Sequence, residues 1–186
     1  MGKTKKKVGV KSMHFVYNAL FLIAAIIWGD WKGWKKYYPT ILFFFTGDLL
    51  KGVLLYNQMK WTYQESIFGQ SILVNHTVIA LMIMFVVYPS TILIYLGRFP
   101  SVRWKKILWV FTWVGVYTLI EHINERYLNL INHHGGWNIG WSVLFNIVMF
   151  SLLRLHFKNP LLTWGLSAIW VIFLLNAFDV QLHKMK

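Results

Sequence analysis

In a chain that is 57% hydrophobic and only 13% charged, any chemistry must come from the few ionisable and amide side chains set inside apolar runs. Such groups are costly in a membrane interior and usually face a neighbouring helix or a cavity. Thr118, His122, Glu125, Asn129 and Asn132 recur at steps of 4, 3, 4 and 3, the spacing of one helical face, with Glu121 on its flank. Ile120, Ile123, Tyr127 and Leu130 fall on the other side. In an antiparallel bundle, the deeper part of this stripe would meet Asn75 and His76, then Asn138, Ser142 and Asn146 at i,i+4 spacing, and finally Asn176 and Asp179. The expected site is thus a water-accessible cavity bordered by His76, Glu121, His122, Glu125, Asn138 and Asn146.

Histidines with carboxylates can hold Zn²⁺, Mn²⁺ or Fe²⁺. His76, His122 and Glu125 are the metal-ligating candidates, with His133 or His134 of the HHGG loop as a further ligand. A haem would need His76 and His122 to face each other at one depth, which the spacing does not demand. HxxE is not HExxH, and GxSxG, P-loop and GxGxxG motifs are absent from the sequence. No cofactor is specified. The plain structural alternative is a hydrogen-bonded polar core at a wet membrane edge. A second constellation is Asp48 with Lys51, whose i,i+3 spacing puts both on one face within pairing distance. It reads as a structural ion pair, or alternatively as a proton or ion relay or half of an anionic-headgroup site.

The elements that must position these groups are apolar runs near the length a membrane helix needs, about 17–25 residues. There are six: Met13–Trp28, Pro39–Tyr56, Ser71–Leu96, Ile107–Ile131, Trp137–Phe157 and Pro160–Leu182. The runs are continuous rather than alternating, which excludes a barrel. Pro39 and Pro160 stand where helices are expected to begin, and Pro89 is expected to kink the third. Connections are short and no repeat is visible. The expected fold is all-α, a polytopic transmembrane bundle of about six helices, with five crossings plus one interfacial or re-entrant segment as the alternative. Residues 13–186 form one domain, preceded by a basic tail over 1–12. That tail resembles the start of a signal peptide, but no small-residue cleavage site follows it, so an uncleaved anchor is expected.

The net charge of +13 would point to nucleic acid in a soluble protein, but here the bases cluster between apolar runs. That pattern reads as topology signals and anionic-lipid contacts, not nucleic-acid binding. Arg98, Arg103, Lys105, Lys106, Arg154 and Lys158 share one side with no acid, so that side is expected in the cytoplasm. Glu65, Glu121, Glu125 and Asp179 share the other with Lys60, Arg126, Lys184 and Lys186. Eleven Trp and nine Tyr, in clusters such as Trp28–Tyr38, mark the membrane interfaces. With no cysteine, disulfides and thiolate metal sites are excluded.

The stretches KKYYPTILFFFTGDLL, FVVYPSTILIYLGRFP, the run Tyr117–Ile131, GGWNIGWS and LRLHFKNPLLTW together resemble a family of small multi-pass membrane proteins of spore-forming Firmicutes. The resemblance implies a polytopic helical fold in a bacterial plasma membrane and carries no activity or catalytic residues. The functional expectation is an integral membrane protein with an outward-facing polar cavity that binds a small molecule or lipid headgroup. The alternatives are a small-molecule carrier subunit working with a membrane-protein partner, and a membrane-embedded metal-dependent enzyme using Glu121, His122 and Glu125.

Overall fold

The computed structural model describes residues 13–63 and 76–181. The elements run α1 (Met13–Trp28), α2 (Trp34–Leu54), β1 (Trp61–Tyr63), α3 (His76–Tyr95), α4 (Arg103–Arg126), β2 (Ile131–His133), α5 (Ile139–His156) and α6 (Pro160–Ala177). The basic tail, Glu65, Asn75, Lys184, Lys186 and the side chain of His76 lie outside the described residues.

Successive helices alternate in direction, and three of the turns between them meet at one end. Asp30 donates its backbone N–H to Leu93 O (3.2 Å), Arg98 Nε donates to Trp28 O (2.7 Å), and the Arg154 guanidinium lies 4.0 Å from the Phe99 ring centre. This basic end therefore gathers the α1–α2, α3–α4 and α5–α6 connections. At the opposite end β1 and β2 pair antiparallel, with Trp61 opposite His133, Thr62 opposite Asn132 and Tyr63 opposite Ile131. Apolar run length predicts loop at Trp61–Tyr63 and the end of the fourth run at Ile131, so neither strand is expected. Three residues are too few to show an alternation, and the partners stand about 70 positions apart.

Several boundaries differ from expectation. α2 begins at Trp34, so Pro39 lies inside it and not at its start. The first turn is held from outside: Asp30 accepts from Gly33 N (3.0 Å) and from Tyr37 Oη (2.7 Å) and pairs with Lys36 (2.8 Å). These bonds anchor the turn ahead of the proline, whose ring fits within two turns of a helix start. α4 likewise starts four residues early and stops at Arg126. Its end is closed by Leu128 N to Ile123 O (3.2 Å) and Leu130 N to Asn124 O (2.8 Å), across Asn129 at φ 51°. Asparagine is among the few residues that tolerate that conformation. α6 follows the expected rule, with Pro160 in its first turn and the Asn159 side chain accepting from Leu162 N (3.3 Å).

The core lies among α1 to α5 and is largely aromatic. Phe44 stacks on Tyr88 with centroids 3.9 Å apart, and Tyr95, Trp113, Tyr117 and Phe150 form an edge-to-face cluster. Their polar tips are satisfied locally: Tyr95 Oη donates to Phe150 O (2.9 Å) and Trp109 Nε1 to Tyr95 O (3.0 Å). The outer surface is apolar, with Phe85, Ile107, Leu119, Leu161 and Ile169 all exposed. Three helices, Thr77–Tyr95, Ile139–His156 and Pro160–Ala177, are long and apolar enough to cross a membrane, and Phe15–Trp28 is a shorter apolar helix. α6 is peripheral: it packs on α5, and Thr163 is its one buried residue.

Candidate functional site

The rotation of α4 decides which polar groups face inward. Trp113 and Asn124 are buried on the same side as Tyr117 and Glu121. A helix turns about 100° per residue. Placing these two rings in the core brings Glu121 inward and turns His122 out. This corrects the expected phase. Thr118 and Glu125 remain on the flank of the inward face, but His122 is exposed and packs edge-to-face on Tyr127 at 6.3 Å. Asn129 and Asn132 lie beyond the helix. Burying two large aromatics outweighs lining up a polar stripe.

β2 then delivers a residue that helix periodicity could not place. His133 Nε2 lies 2.8 Å from Glu121 Oε1 and His133 Nδ1 lies 2.8 Å from Glu125 Oε1. The Ser142 hydroxyl donates to the same Glu121 oxygen and accepts from Trp137 Nε1 (2.8 Å). Asn146 Nδ2, one turn further along α5, donates to Thr118 Oγ1 (3.2 Å). The result is one chain of hydrogen bonds, Trp137–Ser142–Glu121–His133–Glu125, running from a buried indole to a carboxylate that is 33% exposed. Both imidazole nitrogens face carboxylate oxygens, so two protons must be shared among the three groups. Ser142 meets a carboxylate directly and has no imidazole beside it, so this is not a serine-nucleophile arrangement.

Asn138 belongs elsewhere. It caps α5, accepting from Gly140 N (2.9 Å) and Trp141 N (3.3 Å), and its exposed side chain does not reach the chain of bonds. The stop in the helical pattern before Ile139 is what claims it. Among the described residues no group of three or more His, Asp or Glu side chains is placed to hold a metal ion. The His133 ring keeps the two carboxylates apart, and His122 faces away from them. Asp48 and Lys51 form an ion pair on α2, with Lys51 Nζ also 4.5 Å from the Trp61 ring centre.

These groups border a cavity of about 620 Å³. Glu121, Ser142, Asn146, Asp48, Lys51, Lys60 and Trp61 line its strand end, and Phe43, Leu153 and Trp164 its far end. Lys60, which the sequence offered only as a loop charge, is 7% exposed. Its backbone O accepts from His134 N (2.7 Å), and its ammonium lies 5.0 Å from the Phe178 ring centre. Burial pulls that ammonium below its usual range, with the Asp179 carboxylate working against the shift. Gly135, at φ 55°, makes room for it, because a Cβ there would stand 2.9 Å from Nζ. The paired glycines after His134 were the one sequence signal of this close approach. No family model, no curated protein and no solved structure matches the chain, so only its own geometry bears on function.

Proposed function

We propose that the chain is a six-crossing integral membrane protein of a bacterial plasma membrane, with its strand end outward and a ligand cavity opening toward that end. The cavity carries this reading. A volume of about 620 Å³ sits within the ~300–1,000 Å³ usual for small-molecule sites, and it combines apolar walls with a few convergent polar groups. The ligand is a small molecule or lipid headgroup held at the strand end of the cavity, which Glu121, Ser142 and Asn146 border. His133 and Glu125 act behind Glu121, holding its carboxylate in place.

Six crossings are supported by the meeting of the α1–α2 connection with the other two turns at the basic end. That end holds Lys32, Lys35, Lys36, Arg98, Arg103, Lys105, Lys106, Arg154 and Lys158 against Asp30 alone. Such an excess favours the cytoplasmic side and contact with anionic lipids there. Native mass spectrometry of the purified full-length chain tests the reading. A retained small molecule or lipid that Asn146→Leu removes, with the fold intact, supports it. A chain that carries nothing and is indifferent to this substitution overturns it.

A further inference from the structure

Lys60 is buried at 7% exposure and lines the cavity, yet among the described residues no carboxylate stands within 4 Å of its ammonium. Asp179, the acid whose field it feels, is exposed and beyond ion-pair reach. The contrast with Lys51 is direct, since Lys51 borders the same cavity and is paired with Asp48. A largely buried lysine whose ammonium meets, among the described residues, an aromatic face and no carboxylate is costly unless an anion joins it. Two further buried polar atoms belong to lining residues and have no partner among the described residues: Asn124 Oδ1 on α4 and Trp170 Nε1 on α6.

The rest of the cavity is long and apolar. Its α6 wall runs from Trp164 to Leu175, roughly 16 Å at 1.5 Å per residue. α2 and α6 touch near the basic end through Phe43 and Trp164. At the strand end their flanking connections meet through Gln58 and Gln181. Between those contacts Leu50 and Ile172 line the cavity while remaining exposed, so it is open sideways where lipid would lie.

We propose that the cavity binds a single-chain anionic amphiphile, its carboxylate or phosphate on Lys60 at the strand end and its hydrocarbon chain along α6, entering sideways between α2 and α6. This rests on the ligand-cavity reading above and names the ligand class. The head gains a charge-assisted hydrogen bond from Lys60, while Glu121, already committed to Ser142 and His133, is left undisturbed. Gly47 faces the chain region, and a Cβ there would meet nothing within 4 Å, so the wall is open at that point.

The test uses the full-length chain in phosphatidylcholine nanodiscs, stripped of bound lipid and offered palmitate, methyl palmitate or lysophosphatidate, with native mass spectrometry and thermal unfolding as readouts. One palmitate or one lysophosphatidate per chain is expected, the better retained of the two identifying carboxylate or phosphate as the preferred head, and methyl palmitate is not retained. Lys60→Gln lowers occupancy roughly tenfold or more, and Lys60→Arg restores it. The stripped Lys60→Gln protein melts higher than the stripped parent, because an uncompensated charge is gone, and it gains nothing from palmitate. Gly47→Leu fills the wall and expels every chain-bearing compound. Equal retention of methyl palmitate and palmitate, or unchanged palmitate occupancy in Lys60→Gln, overturns the anionic head while leaving the cavity reading intact. Failure to retain any of the three compounds, with Gly47→Leu indifferent, overturns both.

Discussion

The two ends of the bundle treat charge in opposite ways. At the basic end nearly all the charge sits in turns and helix ends, where side chains reach water. Its single acid serves as a local staple: Asp30 ties Gly33, Lys36 and Tyr37 together, and these partners hold its carboxyl down at about 2. At the strand end Glu121 lies deeper, and the partners of two acids come from distant elements: those of Glu121 from β2 and α5, that of Glu125 from β2. Uncompensated charge at one end can orient the molecule in a membrane. Compensated charge at the other builds an interior. Lys60 is the exception to the second pattern, and that exception is what marks the cavity.

Labelling gives the largest expected difference between the ends. A cysteine at Ser101 should resist an impermeant thiol reagent in intact cells, whereas one at the exposed His134 should react fully. Reaction at both, or a reversed pattern, breaks the assignment of sides. Next in size is Glu121→Ala, which strands the Ser142 hydroxyl and the Nε2 side of the His133 ring together. It should cost about 3 kcal/mol in chemical unfolding, against about 1 kcal/mol for Glu125→Ala, whose carboxylate is partly in water. Equal losses would mean that the network has no inner and outer member.

Either Asp48→Leu or Lys51→Leu alone should cost about 2 kcal/mol by leaving a charge in a partly apolar site. The double substitution should recover most of that loss, and strict additivity would show the two to be independent. The smallest effect belongs to Asp30. Its carboxyl is lowered from 3.8 to about 2 on folding, so its contribution is complete above pH ~4 and disappears as the pH falls through about 2. Because the pair is partly exposed, Asp30→Asn should remove less than about 1 kcal/mol at neutral pH and flatten the acid limb of the stability curve.

How far these features could be read from the sequence depended on their range. Apolar run length is enough to place all six helices, and Pro160 marks the start of α6. The spacing of Asp48 and Lys51 was enough to bring them together, because i,i+3 contacts need only one turn. Glu121 and Asn146 were singled out as polar residues in apolar runs, and both line the cavity. Polar spacing alone gives α4 the wrong phase, because Trp113 and Tyr117 settle the rotation by packing into the core. The sequence offers His133 only as an extra ligand and Lys60 only as one charge of the acid-bearing side. Both are positioned by a strand pairing between residues about 70 apart, which no local pattern announces.

That strand pairing also sets an order of events during synthesis. When Trp61 leaves the ribosome its partner His133 has not yet been made, and at 5–20 residues per second the wait is roughly 4–14 s. Through that interval His134 is absent and cannot donate to the Lys60 carbonyl, and the Gly135 turn that accommodates the ammonium does not exist. α6, the wall carrying Trp170 and Leu175, is made later still. The interior is therefore most open to the surrounding bilayer while the chain is still being translated, and it closes from the strand end only as the last two helices arrive.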